Sequence, residues 1–228
     1  KTILENKNIV VGANRTEQYL ALLKGKRVGI VANQTSVIFT GEKWETGNRS
    51  YTHLVDSLLA LNVEIKKVFA PEHGFRGCAD AGELVKDGKD TKTGLHIYSL
   101  HGKHKKPTKA QLEDVDIMIF DIQDVGVRFY TYISTLHYVM EACAEQNIPL
   151  IILDRPNPNG NYIDGPVLEK KHSSFLGMHP IPLVHGMSIG EYAKMINGEA
   201  WLNTSTTCQI TIIELENYSH ESIYSLPI

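Results

Sequence analysis

Residues 115–122 read VDIMIFDI, and this short stretch decides the fold. An almost unbroken apolar run of this length is typical of a β-strand that is buried on both faces. Polar and aromatic residues follow at 123–132, QDVGVRFYTY, and residues 131–147 carry an apolar stripe at helical spacing. The stripe consists of Ile133, Leu136, Val139, Met140 and Cys143. A buried strand, a polar loop and a helix in this order make one βα unit of a parallel sheet.

The same alternation of apolar runs and helical segments extends over most of the chain. The other strand-like runs are RVGIVAN (27–33), VEIKKVFA (63–70), GLHIYSL (94–100), IPLIILD (148–154) and IPLVHG (181–186). Helices are predicted at 16–25, 52–62, 108–114 and 188–198, and the last two begin with the capping-box pairs Thr108/Gln111 and Ser188/Glu191. The pattern predicts an α/β, Rossmann-like fold in which helices cover both faces of a mostly parallel sheet.

The regular alternation of apolar runs and helical segments ends at about Thr206. Residues 206–228 contain one strand-like run followed by a loose polar segment. We therefore predict a Rossmann-like catalytic domain at 1–205 and, at 206–228, the beginning of a smaller C-terminal domain that is truncated in this chain.

Composition and charge exclude several function classes. The chain has 228 residues, of which 42% are hydrophobic and 21% are charged, and its net charge is −3, so it has no general attraction for nucleic acid. No run approaches the roughly 20 apolar residues of a membrane span. Cys78, Cys143 and Cys208 are widely spaced and are interpreted as free, packed thiols. No G-x-G-x-x-G follows the first strand and no P-loop is present, so no cofactor is expected.

Ionisable and amide side chains follow four of the predicted strands. In open α/β sheets, ligands bind beyond the carboxyl ends of the strands, and parallel strands bring those ends to one edge. The expected cleft residues are Glu72, His73 and Arg76; Asp121, Gln123, Asp124, Arg128 and Tyr130; Asp154, Arg155 and Asn157; and His185.

Simpler structural explanations stand beside these functional ones. Glu72 could pair with Arg76 in a turn, Asp124 could cap the following backbone amides, and Asp154 could pair with its neighbour Arg155. GMSIG at 186–190 fits a serine-nucleophile elbow, but the Ser188/Glu191 capping box explains that serine equally well. A metal-dependent hydrolase is a further alternative. Its candidate ligands are His73, His101, His104, Asp121, Asp124 and His185.

The residue types in the cleft favour acid/base chemistry driven by carboxylates. Arg, Gln, Asn and Tyr side chains are suited to binding the hydroxyl groups of a sugar. A carboxylic acid that protonates the leaving oxygen, together with a second group near the anomeric carbon, is the arrangement that hydrolyses glycosides.

Several long motifs resemble one bacterial family. They are APEHGFRG, TGLHIYSLHG, VDIMIFDIQDVGVRFYTYISTL, ILDRPNPNG, DGPVLE and PLVHGMSIGEYAKM, spread over about residues 10–200. The family was first catalogued as a domain of unknown function and is associated with exo-acting β-N-acetylmuramidases. The resemblance implies a two-domain enzyme with its active site between the domains. It also implies release of N-acetylmuramic acid from peptidoglycan fragments, and an exported, periplasmic or cell-envelope location.

The resemblance also implies roles for individual residues. Glu72 becomes the acid/base candidate, with His73 beside it in the catalytic set. The second catalytic group is Asp121 or Asp124, or the substrate's own 2-acetamido group oriented by an aspartate. Because a nearby cation would favour the ionised form of Glu72, we expect Arg76 to point away, toward the lactyl carboxylate of the muramyl ring. The expected substrate-binding residues are Arg76, Gln123, Arg128, Tyr130, Asp154, Arg155, Asn157 and His185. A non-catalytic peptidoglycan-binding module remains the alternative.

Overall fold

The structure is a computed structural model, and it describes residues 9–40, 50–77 and 87–226. The strands are β1 (Val28–Ala32), β2 (Val37–Phe39), β3 (Tyr51–His53), β4 (Ile65–Ala70), β5 (Gly88–Lys89), β6 (His96–Ser99), β7 (Ile117–Asp121), β8 (Leu150–Leu153) and β9 (Ile210–Ile213). Seven of them form one sheet in the order β5-β6-β4-β1-β7-β8-β9, while β2 and β3 form a separate antiparallel pair. Every pair in the large sheet is parallel except β5 with β6. The predicted mostly parallel α/β sheet is confirmed.

Helices cover both faces of this sheet. They are α1 (Thr16–Leu23), α2 (Leu54–Ala60), α3 (Lys109–Leu112), α4 (Tyr132–Gln146) and α5 (Ile189–Gly198). Buried residues of α1 and α2 pack with Val28 and Ile30 of β1, whereas those of α3, α4 and α5 pack with Val31. Successive β1 side chains therefore enter opposite cores, as the period of a strand requires. In the described part of the chain, none of the helices has the length and apolarity needed to span a membrane.

Both predicted capping boxes are present. The Thr108 hydroxyl accepts from the Gln111 amide, and the Gln111 side chain accepts from the Thr108 amide at 2.8 Å. Ser188 and Glu191 make the equivalent pair of bonds at the start of α5, where the return bond is also 2.8 Å. Both helices therefore begin where the capping-box pairs in the sequence predict.

Two segments differ from their sequence-based expectations. Residues 181–186 are not a strand: Val184 makes only isolated antiparallel bridges to Val127 and Asp164. Pro180 precedes this stretch and Pro182 lies within it, and a proline has no amide hydrogen to donate to a ladder. The strand at Ile210–Ile213 pairs in parallel with β8 and so belongs to the main sheet rather than opening a new one. A smaller C-terminal domain stays a prediction, but this strand is not part of it.

A buried chain of hydrogen bonds joins α4 to α5. The Tyr192 hydroxyl lies 2.8 Å from His179 Nδ1, and His179 Nε2 lies 2.9 Å from His137 Nδ1. His137 Nε2 in turn faces Glu141 Oε2 at 3.5 Å, and Lys106 donates to the other oxygen of Glu141 at 2.6 Å. Burial lowers the pKa of His179 to about 3 and also lowers that of His137, so both imidazoles are neutral. An ionised Glu141 then requires the proton on His137 Nε2, and this sets the direction of the whole chain.

Candidate active site

The candidate site lies at the carboxyl edge of the sheet, between β1 and β7. From β1 the chain builds outward through β4 and β6, and from β7 it builds outward on the other side through β8 and β9. Ligands of open α/β sheets bind in the crevice where the strand order reverses in this way. The Thr35 hydroxyl joins the two strand ends, donating to Asn33 Oδ1 (2.6 Å) and accepting from the Gln123 amide (3.0 Å).

Glu72 lies in the loop after β4, and the backbone of this loop is strained. His73 has φ +71° and Gly74 has φ +77°, which places a non-glycine residue in the left-handed region. Such a conformation costs about 1 kcal/mol or more and persists only where its surroundings hold it. The Gly74 amide closes the turn on the Pro71 carbonyl at 3.1 Å. The Thr131 hydroxyl, at the start of α4, lies 3.4 Å from Glu72 Oε2.

Arg76 is engaged by two carboxylates. Its Nε and Nη2 each donate to Asp90 at 2.8 Å, and Nη2 also donates to Asp56 at 3.0 Å. The hydrogen bonds to Asp90 and Asp56 raise the pKa of Arg76 in spite of its partial burial, and Arg76 holds the pKa of Asp90 well below its usual range. The guanidinium therefore braces α2 against two loops, and its charge is compensated within the protein.

Asp121 and Arg155 form a fully buried ion pair. Arg155 Nε donates to Asp121 Oδ1 at 2.6 Å and Nη2 donates to Oδ2 at 2.9 Å, while Nη2 also reaches the Val37 carbonyl. Arg155 is 1% exposed and Asp121 is 0% exposed. The expected side-chain pair of Asp154 with Arg155 is wrong, because the partner of Arg155 is Asp121 on the neighbouring strand. Neither residue of the pair reaches the surface of the crevice.

Asp154 caps the start of α5. Its carboxylate accepts from the Ser188 hydroxyl and from the Gly190 amide, both at 2.8 Å, and from the Arg155 amide at 3.0 Å. Burial raises the pKa of Asp154 to about 6 in spite of these three donors. Ser188 is thus a capping residue bound to a buried carboxylate, and the GMSIG stretch has a structural role.

Asp124 and His185 face each other across the crevice floor. Asp124 Oδ2 accepts from the Gly126 amide at 2.8 Å, which is the predicted cap, and lies 3.5 Å from His185 Nε2. His185 Nδ1 accepts from the Met187 amide at 3.3 Å, which leaves Nε2 as the ring nitrogen on the side of Asp124. Asp124 is 4% exposed and His185 is 3% exposed. Of the two predicted aspartates, Asp124 is the one with an oxygen directed away from a buried cation.

Tyr130 lies in the field of both candidate carboxylates. Burial raises the pKa of its hydroxyl, and the charges of Asp124 and Glu72 raise it further. Its ring packs edge-on against Tyr132 with centroids 4.8 Å apart. Glu72 also acts on Tyr132, whose pKa is raised mainly by burial. The two tyrosines therefore connect the loop after β4 with the loop after β7.

The remaining predicted binding residues hold the loops in place. Gln123 donates to the carbonyls of Asp124 and Pro156, both at 2.7 Å. Arg128 donates through Nη1 to the carbonyls of Pro166 and Ile181. Asn157 donates to the Met187 carbonyl and accepts from the Asn159 amide. Gly126, at φ +78°, packs so closely on the Asn157 amide that a Cβ would clash with it.

Three residues at the crevice were missed by the sequence analysis: Asn33, Thr131 and Tyr132. Asn33 is the last residue of RVGIVAN, so the strand-end rule could have identified it had it been applied to β1. Thr131 and Tyr132 were counted only as the start of a helix. In the described ranges, no group of three or more His, Cys, Asp or Glu side chains is arranged to hold a metal ion.

Comparison with known proteins shows which family this chain belongs to. The model of the family described as "Exo-beta-N-acetylmuramidase NamZ, N-terminal" matches residues 28–228. The chain belongs to the NamZ family. It is 47% identical over 206 residues to the peptidoglycan beta-N-acetylmuramidase NamZ of Bacillus subtilis (strain 168), a match that covers 89% of this chain and 46% of that protein.

Two crystal structures of DUF1343-family proteins from Bacteroides fragilis NCTC 9343 share the fold of this NamZ-family chain. One has a TM-score of 0.82 at 45% identity and covers 97% of this chain and 56% of its own. The other has a TM-score of 0.80 at 39% identity and covers 94% of this chain and 52% of its own. The chain thus spans about half the length of the relatives it matches.

Proposed function

We propose that this chain is the Rossmann-like part of a glycoside hydrolase that releases N-acetylmuramic acid from the non-reducing ends of peptidoglycan fragments. One observation carries the proposal: carboxylates from two different strand ends lie at the strand-order reversal, where Glu72 Oε2 is 3.4 Å from the Thr131 hydroxyl and Asp124 Oδ2 is 3.5 Å from His185 Nε2. Two carboxyl groups flanking one binding crevice are the arrangement that glycoside hydrolysis needs. The activity printed for the Bacillus subtilis relative supports the same reaction.

Glu72 is the proposed acid that protonates the leaving oxygen. Its loop is rigidly turned, and the Thr131 hydroxyl is positioned to orient one carboxylate oxygen. The charge of Arg76 is compensated by Asp56 and Asp90, which weakens the field of this cation at Glu72. The expected contact of Arg76 with a lactyl carboxylate gains no support, because its donors are engaged by aspartates.

Asp124 is the proposed second group, either acting on the anomeric carbon itself or orienting the 2-acetamido group that does so. His185 faces one of its oxygens, and the Gly126 amide fixes the carboxylate plane. Asp121 is assigned a structural role, since Arg155 occupies both of its oxygens.

The decisive test is Glu72→Gln in the full-length protein. Release of N-acetylmuramic acid from the disaccharide N-acetylmuramyl-β-1,4-N-acetylglucosamine, whose sugar leaving group needs a proton, should fall by at least about 10³-fold. Binding of N-acetylmuramic acid should persist, because removing a general acid leaves the ground-state contacts in place. The exposed Glu113→Gln serves as the matched control and should retain full activity. Binding without any release by the wild type would favour the non-catalytic module. Loss of activity on strong chelation would favour the metal-dependent hydrolase.

We also propose that the whole protein is exported and takes part in cell-wall recycling. The support is indirect: its proposed substrate, peptidoglycan, lies outside the cytoplasm. Fractionation of the native organism with an antibody against this chain tests the location, and recovery solely with cytoplasmic markers would contradict it.

A further inference from the structure

Several polar atoms on the floor of the crevice are buried without a hydrogen-bond partner in the described residues. They are Asn33 Nδ2, Gln123 Oε1, Asp124 Oδ1, Tyr132 Oη and His185 Nε2. A buried polar atom left unpaired costs about 1–3 kcal/mol, so protein interiors rarely collect several at one place. Their concentration at the β1–β7 reversal indicates that a ligand is their partner.

Asn33 is held so that only its amide nitrogen remains available. Its Oδ1 accepts from both the backbone amide (2.8 Å) and the hydroxyl (2.6 Å) of Thr35, which fixes the orientation of the amide plane. Its backbone amide donates to the Ser36 hydroxyl at 3.0 Å. The Tyr132 hydroxyl lies close enough for the Asn33 amide to lower the pKa of this tyrosine, but a single oxygen can take only one of the two Nδ2 hydrogens. A fully buried donor of fixed direction thus remains.

The floor therefore carries hydrogen-bond donors, which need an acceptor on the ligand, and hydrogen-bond acceptors, which need a donor on the ligand. Asn33 Nδ2 can only donate and requires a ligand acceptor, whereas the available oxygen of an ionised Asp124 can only accept and requires a ligand donor. A ligand carboxylate is disfavoured here, because it would be buried beside the charge of Asp124. An acetamido group fits both requirements, since its C=O accepts and its N–H donates on opposite sides of one planar unit.

The neighbouring aromatic pair completes this description. Tyr130 and Tyr132 pack edge-on at 4.8 Å, and Tyr132 is 3% exposed. Their rings supply apolar surface next to the polar floor, which suits the methyl group at the end of an acetamido substituent.

We infer that Asn33 is a specificity residue that donates to the carbonyl oxygen of a sugar 2-acetamido group, while Asp124 accepts from its N–H. This inference rests on the proposed function for the identity of the sugar. The recognition of the acetamido group itself depends only on the floor described above.

The test is binding by the full-length protein, measured by calorimetry, of three sugars. They are N-acetylmuramic acid, 3-O-lactylglucose, which has a hydroxyl in place of the acetamido group, and N-acetylglucosamine, which lacks the lactyl group. The wild type should prefer N-acetylmuramic acid over 3-O-lactylglucose by about tenfold or more. Asn33→Ala should lose about tenfold in affinity for the acetamido sugars and leave 3-O-lactylglucose unchanged.

Thermal unfolding of each variant guards against misfolding, and Asn33→Asp is a second variant that keeps an oxygen for Thr35 while an acidic oxygen replaces the donor. Asn203→Ala, at an exposed position after α5, is the matched control and should keep the preference. An equal loss for all three sugars, or no loss, in the Asn33 variants would overturn the inference. Wild-type binding of N-acetylglucosamine without N-acetylmuramic acid would instead refute the proposed substrate and leave the subsite standing.

Discussion

At the residue scale, the buried ion pair with Arg155 distinguishes Asp121, which is structural, from Asp124, the proposed catalytic carboxylate. Asp121 and Asp124 are three positions apart at the end of the same strand, and sequence reasoning could not choose between them. The choice depends on Arg155, which is contributed by the neighbouring strand 34 positions later in the chain. A pattern read along one segment carries no information about such a partner.

Asp121→Asn should destabilise the fold by about 3–5 kcal/mol, because it leaves the Arg155 charge buried without a counter-ion. Urea unfolding followed by circular dichroism measures the change. The double variant Asp121→Asn with Arg155→Leu should recover part of the loss, which a cycle of single and double variants quantifies. A single variant as stable as the wild type would contradict the assigned role.

Asp154 gives a pH-dependent contribution of known sign. Its pKa in the folded protein is about 6, above the usual value of 3.8. The folded state therefore holds the proton more tightly, and this contribution is fully present below about pH 4 and is lost as the pH rises through 6. The stability of the wild type relative to Asp154→Asn should fall by about 2 kcal/mol between pH 4 and pH 7. Denaturant unfolding at each pH checks this, and a constant difference would disprove the raised pKa.

At the residue scale, the strand-end rule therefore found the Glu72 loop and Asp124, but not how their neighbours are paired. Arg76 was expected to reach the lactyl carboxylate of the substrate, because a contact with Glu72 would favour the ionised form of that acid. Its observed partners, Asp56 and Asp90, lie 20 and 14 positions away. Ion pairs of this kind form between folded elements, and local spacing does not encode them.

At the element scale, α5 begins at a cap that has two partners. The Ser188 hydroxyl accepts from the Glu191 amide and donates to Asp154, whereas Thr108 at the start of α3 makes only its capping box. Ser188→Ala should cost about 2 kcal/mol, and Thr108→Ala should cost about 0.5–1 kcal/mol. Thermal unfolding of the two variants measures both. Turnover should survive in Ser188→Ala. A complete loss of turnover in a folded variant would support Ser188 as a catalytic nucleophile.

The hydrogen-bonded chain between α4 and α5 should make the fold sensitive to acid. His179 has a folded pKa of about 3 against an ordinary value of 6.5, so the unfolded state binds the proton first. Its contribution is present above about pH 6.5 and is lost as the pH falls toward 3. Relative to His179→Leu, the wild type should lose about 3 kcal/mol of stability between pH 6.5 and pH 4. A pH-independent difference in unfolding free energy would contradict this.

Helices could be predicted from the sequence where the pattern that specifies them lies within one segment. The apolar stripe of α4 and the two capping boxes are written within single segments, and all three were confirmed. Residues 181–186 looked like a strand because they are apolar, yet no neighbouring strand pairs with them beyond the isolated bridges at Val184. Pairing is a property of the sheet, which is why this expectation failed.

At the scale of the whole molecule, the six parallel strands form one continuous sheet. Strands β6, β4 and β1 lie on one side of the strand-order reversal, and β7, β8 and β9 lie on the other. The sixth strand of this series, β9, lies in the segment that was expected to begin another domain. A run of four residues is too short to show from sequence which sheet it joins. The contact with β8 decides the matter.

A pair of identical substitutions in segment 206–228 tests this membership. Ile213 is 3% exposed and packs in the core with β1 and α1, whereas Ile223 is 95% exposed. Ile213→Ala should lower the free energy of unfolding of the whole sheet by about 2–5 kcal/mol, and Ile223→Ala should change it by less than about 0.5 kcal/mol. Unfolding followed by the fluorescence of Trp201, in a background that carries Trp44→Phe, reports the main core. Equal, negligible effects would mean that the segment folds apart from the sheet.

The left-handed backbone at His73 also has a consequence for how a ligand would be received. Because the turn beside Glu72 is already ordered, the entropy of arranging it is lost during folding and not at each encounter with a sugar. His73→Gly should relieve the strain while widening the conformational ensemble of the loop. Sugar binding should then become more exothermic and entropically less favourable, with little change in overall stability. The variant loop would thus lose its backbone strain, but it would have to be ordered again each time a sugar binds.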